Sequence, residues 1–174
     1  LNFLPEFADD KCQIILSSDS DHILEIGKRC GDITIHKRDS KLSNDSALTK
    51  DVVQDIIRHF SFHDNDKILL LQPTVPLRPR NELGEILDLI NNVGTEYRSL
   101  VSLVEVEGNH PFRMKRIVGK NLCISYIDQG FEDMRPRQTL PKCYIRSGSY
   151  YASTAINIMN IDSLVPDPCF GYIH

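Results

Sequence analysis

From Cys12 to Val104 the chain alternates short apolar runs with amphipathic stretches, and this pattern limits the fold more than any other feature. Cys12 to Leu16 is an apolar run that stops at Ser17-Ser18-Asp19-Ser20-Asp21, which reads as a strand meeting a helix N-cap. The helix is expected from about Asp21 to Cys30, with Ile23, Ile26 and Cys30 turned inward and Gly31 ending it. Ile33 to Ile35 reads as a second strand. Between Ala47 and Phe60, the set Val52, Val53, Ile56, Ile57 and Phe60 repeats at helical spacing, with Asp45 or Ser46 as cap. Ile68 to Leu71 is a continuous apolar strand of the kind buried on both faces. Pro73, Pro76 and Pro79 make the following segment a stiff, non-helical loop. Asn81 caps a further helix with Leu83, Ile86, Leu87 and Ile90 inward, Gly94 closes it, and Leu100 to Val104 is the next strand. Such alternation predicts an α/β fold, a Rossmann-like and mostly parallel sheet covered on both faces.

Beyond Val104 the character changes. Phe112 to Ile117, Leu122 to Tyr126 and Cys143 to Tyr151 read as strands, with turns at Gly119 and Gly130 and little helix between them. The economical reading is one domain, residues 1–174, carrying a β-rich flap over 112–151. A chain of 174 residues can bury roughly 70% of its unfolded surface without staples. A net charge of −4 argues against a surface that coats nucleic acid or anionic lipid. No apolar run approaches the ~20 residues of a membrane span, and Leu1 to Leu4 does not read as a secretory leader. The five cysteines lack any Cys-x-x-Cys pair, which points to reduced thiols in a cytoplasmic protein.

No Walker loop, dinucleotide fingerprint or His-Glu-x-x-His zinc sequence is present. In open parallel sheets, ligands collect beyond the carboxyl ends of the strands, which here carry Ser17 to Asp19, Gln72 to Thr74 and Glu105. Asp19 and Asp21 have the spacing to hold a divalent cation between phosphates, and equally that of a helix N-cap. His36, His59 and His63 read as surface or edge residues, and His110-Pro111 as a turn. Arg135-Pro136-Arg137-Gln138, with Lys142 following, places planar cationic forks in a stiff loop. That suits carboxylate or phosphate recognition; a solvated charged loop is the other reading. Tyr144, Tyr150 and Tyr151 fit core or cross-strand packing.

In order and spacing these segments resemble the acylneuraminate cytidylyltransferases. The matching stretches are Ile14 through Ile23; Arg38 through Leu42 with Ser43 to Ser46; Leu70-Leu71-Gln72-Pro73-Thr74-Val75-Pro76-Leu77-Arg78; His110-Pro111 with Met114-Lys115; and Arg137-Gln138-Thr139-Leu140-Pro141-Lys142. Gly148 and Tyr151 follow where the family has Asn-Gly-Ala-Ile-Tyr, with Ser147 at the usual Asn and Ile145 at the usual Arg. The resemblance implies a nucleotide-diphospho-sugar transferase fold whose flap makes a homodimer. It also implies a reaction in which CTP and a nine-carbon sugar acid give the CMP-sugar and pyrophosphate with Mg2+. By the same pattern Arg38 and Thr49 hold cytosine and ribose, with Asp19 on the nucleotide side. Gln72 hydrogen-bonds the sugar acid; Lys115, Arg137 and Tyr151 line the sugar pocket; Phe170 is the aromatic that approaches the sugar from the partner subunit. Gln72 and Arg137 are the expected catalytic pair.

The family also carries a Gly-rich, basic triphosphate loop ahead of the position of Leu1 and a magnesium-binding Asp-x-Asp pair beyond that of Ile173. The expectation is that the intact protein has both. Two alternatives stay open: a cytidylyltransferase for another acidic sugar, such as legionaminic or pseudaminic acid, and a non-catalytic binding module on the same fold.

Overall fold

The computed structural model describes residues 12–92, 94–106 and 108–174; the segment expected not to be a secretory leader lies outside them. Strand β1 (Ile15–Ser18) runs into helix α1 (Asp21–Lys28), whose Ser20 cap accepts the Ile23 N–H. Strand β2 (Thr34–Lys37) then pairs with β1 in parallel, Leu16 opposite Ile35. The inward face of α1 differs from the expected one: Leu24 and Gly27 are buried, whereas Ile23 and Ile26 are 47% and 48% exposed and Cys30 lies at the surface. The cause is Gly27, where a Cβ would collide with the Leu16 side chain. The helix lies against β1 through its smallest residue, and a hydrophobicity pattern gives a glycine no weight.

Helix α2 (Thr49–His59) buries Val52, Val53 and Ile57. Its cap residue is Leu48, without a side-chain cap bond, and neither Asp45 nor Ser46 serves. Asn44 Oδ1 already accepts the Ser46 N–H at 2.9 Å, so this turn closes on itself one step before the helix.

Strand β3 (Lys67–Leu70), helix α3 (Arg80–Asn92) and strand β4 (Ser99–Glu105) follow in the expected order, but Asn81 lies within the first turn of α3 rather than capping it, because Pro79 already accepts the Leu83 N–H. A hairpin comes next, β5 (Lys115–Val118) against β6 (Leu122–Ser125), and then the long β7 (Tyr144–Thr154), α4 (Ala155–Ile161) and β8 (Cys169–Ile173).

The main sheet has the order β3-β7-β4-β8. Strands β3, β4 and β8 share one direction and β7 runs against them, so the sheet is mixed where a mostly parallel one was expected. The strand expected as the last part of the flap is therefore the strand that joins β3 to β4. Of the expected flap, the β5–β6 hairpin, between β4 and β7 in sequence, forms a separate two-stranded sheet, as the β1–β2 pair also does. Local pattern identifies a strand but not which sheet receives it.

Two apolar layers sandwich the main sheet. One joins Leu83 and Ile86 of α3 to Leu100, Tyr150 and Ala152. The other joins Val53 and Ile57 of α2 to Ala155 and Ile158 of α4, with Ile68 and Leu70 against it. Successive β3 residues serve opposite layers, Leu69 the first and Leu70 the second, as a strand buried on both faces must.

Candidate functional site

At the carboxyl end of β3 the proline-stiffened loop returns over the sheet and is pinned by Arg78, which is 6% exposed. Arg78 Nη2 donates to the Gln72 carbonyl at 2.8 Å and to the Ser149 carbonyl at 3.1 Å, and Nε donates to the latter at 3.3 Å. The guanidinium carbon stands 5.7 Å from the centroid of the Tyr150 ring. Burial lowers the Arg78 pKa, but Tyr150 and Glu82 favour the cation. Its Nη1 is buried and has no hydrogen-bond partner among the described residues.

The pinned loop brings Gln72 against the start of β7. A Cβ on Gly148 would lie 3.6 Å from Gln72 Oε1, and the Gly148 φ of 83° belongs to the left-handed region that glycine enters freely. Beside it Ser147 Oγ lies 2.6 Å from Ser102 Oγ and 2.9 Å from His174 Nε2. His174 Nδ1 is 2.6 Å from one Glu82 oxygen, and the Tyr150 hydroxyl donates to the other at 2.9 Å. Burial and this carboxylate push the Tyr150 phenol well above its usual range, so it remains a donor.

A second cluster forms at the ends of β1 and β2. Arg38 Nη2 donates to the Ser17 carbonyl at 2.8 Å, and Ser17 Oγ lies 3.0 Å from Nδ1 of the buried His36. His36 Nε2 lies 3.2 Å from Asp55 of α2. A cleft of about 410 Å³ opens between the turn at Asp39 to Leu42 and Asp51, Gln54, Asp55 and Arg58 of α2. Thr49, at the first turn of α2, is exposed.

Asp19 and Asp21 are both exposed at the turn between β1 and α1. Asp21 is held by Lys37, which also donates to the Asp19 carbonyl at 2.7 Å, so a cation already balances this turn. Among the described residues no three of His, Cys, Asp or Glu come together as metal ligands.

The sugar-side candidates come from several elements. Lys115 on β5 bonds Glu132 and, at 3.2 Å, Ser125 Oγ. Arg137 opens a short helical turn, Arg137–Thr139, on the surface. Its neighbour Arg135 is committed elsewhere: a forked pair to Asp133, with Nη2 to Oδ2 at 2.6 Å, holds that carboxyl at a pKa of about 2. His110 ties the loop down, Nε2 donating to the Pro141 carbonyl at 2.9 Å while Nδ1 accepts the Phe112 N–H. Tyr151 pairs between Leu70 and Val101. Phe170 lies beneath α3 with its ring edge-on to Tyr97 at 5.4 Å. The chain thus joins Gln72 to Gly148, and Arg38 to the end of β1 beside Asp19. Sequence reasoning missed Glu82, Ser102 and His174. These residues lie far apart in the chain and share no spacing that could have signalled them.

The α/β fold has a solved counterpart. It matches CMP:2-keto-3-deoxy-manno-octonic acid synthetase complexed with CTP at a TM-score of 0.52, with 11% identity, over 94% of this chain and 73% of that one. The relatives in sequence are more specific. The chain is 28% identical over 165 residues to the N-acylneuraminate cytidylyltransferase of Streptococcus agalactiae, and 26% identical over 145 residues to the pseudaminic acid cytidylyltransferase of Campylobacter jejuni. These matches cover 94% and 82% of this chain, and they span 38% and 60% of the two relatives' lengths. No protein-family profile matches. The resemblance to acylneuraminate cytidylyltransferases is borne out. Among the described residues, no helix is long and apolar enough to cross a membrane.

Proposed function

We propose that the intact protein is a cytidylyltransferase that joins CMP from CTP to a nine-carbon sugar acid of the sialic-acid type, releasing pyrophosphate. The observation that carries this reading is similarity to cytidylyltransferases of acidic sugars along 94% of the chain. The sugar's anomeric hydroxyl attacks the α-phosphorus as the bond to the leaving pyrophosphate breaks. Such chemistry asks the protein mainly for positioning and charge stabilisation. In this reading Arg38, Thr49 and Asp19 serve the nucleotide, Gln72 and Tyr151 the sugar, and Arg137 with Lys115 its carboxylate. Support for Gln72 comes from its pinned loop at the carboxyl end of β3, where α/β sheets collect ligands. We further propose a homodimer formed through the β5–β6 hairpin and the loop after it, a cytoplasmic location, and use of Mg2+.

The test is pyrophosphate release by the full-length protein with CTP, Mg2+ and a panel of sialic, legionaminic and pseudaminic acids. Release is expected, greatest with a sialic-type acid. CTP binding without release for any sugar would instead mark a non-catalytic module. Arg137→Ala should weaken apparent sugar affinity roughly thirtyfold or more and leave CTP binding unchanged, because a carboxylate loses its charged partner. Unchanged sugar use with collapsed CTP binding would sink the assignment of Arg137.

A further inference from the structure

Ser147, His174 and Glu82 come from a strand, the end of another strand and a helix, yet they form one continuous hydrogen-bonded chain. Serine Oγ to imidazole Nε2 is 2.9 Å, and imidazole Nδ1 to carboxylate is 2.6 Å. This is the geometry by which a carboxylate orients an imidazole to take a proton from a hydroxyl. Every link is fixed from outside. The His174 N–H donates to the Leu103 carbonyl at 3.0 Å, which seats the residue beside β4. Its ring stacks on Tyr150 at 6.1 Å and meets the edge of Tyr172 at 5.6 Å. Tyr150 occupies the second Glu82 oxygen, so the carboxylate keeps its first oxygen for His174. With Nδ1–H donated to Glu82, the lone pair of Nε2 faces Ser147. Ser147 Oγ donates to Ser102 Oγ at 2.6 Å, and Ser102, which accepts the Tyr150 N–H at 2.9 Å and donates to the Tyr150 carbonyl at 3.3 Å, holds the serine in place; the Ser147 hydroxyl turns from Ser102 to His174 to enter the relay. The other ionisable groups around His174 are Glu85 of α3, bonded to the Tyr172 hydroxyl, and Arg78, behind Tyr150.

We propose that this chain is the proton acceptor for the transfer reaction, with Ser147 the hydroxyl that meets the substrate. The proposal rests on the cytidylyltransferase reading. Ser147 is partly exposed and precedes Gly148, which backs onto Gln72, the residue assigned to the sugar. As the anomeric oxygen bonds to the α-phosphorus, its proton passes to Ser147 Oγ, and the Ser147 proton passes to His174 Nε2. The bond from the α-phosphorus to the bridging oxygen breaks and pyrophosphate leaves. Glu82 balances the imidazolium until it releases the proton to solvent. Ser147 and His174 act on the proton directly, and Glu82 is a positioning residue.

The test measures kcat and KM against pH in the full-length protein, with CTP affinity and melting temperature as checks on folding. Ser147→Ala and His174→Gln should each lower kcat about a hundredfold or more while the KM for CTP holds, as loss of general base catalysis does. Ser147→Thr, which keeps a hydroxyl, should retain most of the rate. The kcat–pH profile of His174→Gln should differ from that of the natural protein, as loss of the proton acceptor requires. His174→Gly should recover rate with added imidazole, a response that separates proton transfer from a folding defect. If the natural protein releases pyrophosphate while these variants keep its kcat and pH profile, the relay is wrong and the cytidylyltransferase reading stands. If the natural protein releases none with any sugar acid, the reading falls and the relay falls with it.

Discussion

His36 is 2% exposed, and burial lowers its pKa; Asp55 opposes that shift, while His59 and Arg38 reinforce it. The unfolded chain therefore takes up the proton first, near the ordinary histidine value of about 6.5. Folding stability should be insensitive to this group above that pH. It should fall as pH drops below it, and level off once the folded form also protonates. Urea denaturation at pH 7.5 and pH 5 should show this loss in the natural chain and a smaller one in His36→Gln. Equal losses in both would mean that other groups set the slope. From sequence His36 reads as a surface or edge residue, because its fixing partners, Ser17 and Asp55, come from another strand and a helix. The same limit hides the Ser147 chain: its members carry chemistry only once β7, β8 and α3 meet. Gln72 is legible, since three prolines and an arginine around it announce a stiff loop wherever the fold puts it.

At the scale of elements, α1 to α3 are legible and their buried faces only in part, whereas α4 (Ala155–Ile161) is too short to show a helical period in the sequence. On α3 the large apolar residues do point inward, and Ile86 is 0% exposed in the layer with Leu100 and Tyr150. Ile86→Ala should cost about 2–5 kcal/mol of unfolding free energy, the range for a buried aliphatic side chain cut back to a methyl. On α1 the pattern misleads, because Gly27 rather than Ile26 meets β1. Ile26→Ala should accordingly stay within about 1 kcal/mol of the natural chain. Parallel denaturant titrations decide the point: comparable losses at the two sites would contradict this orientation of α1.

Across the whole molecule the assembly reading rests on an apolar surface. The hairpin exposes Ile117 by 64% on one face and Leu122, opposite Val118, by 63% on the other, and Met134 in the loop beyond is 81% exposed. Apolar side chains exposed on both faces of one hairpin are suited to a partner. Light scattering at micromolar concentration should find a dimer, and Ile117→Lys with Leu122→Lys should give a monomer that keeps its melting temperature. A monomeric natural chain would remove the hairpin's proposed role. The class of fold is legible from strand and helix alternation, but the placement of β7 is not, because pairing between distant segments leaves no mark on either one. That placement governs how the chain reaches its fold. Lys67 pairs with Thr154, and Ser99 with Ser153, so β3 and β4 never touch and each waits for β7. On a ribosome both strands emerge long before the segment that joins them, with their backbone edges open. Most sheet contacts are of high sequence separation, which makes closure slow and leaves those edges available to other chains meanwhile. Any fragment ending before Tyr144 keeps β3 and β4 in that state permanently, as a source of aggregation.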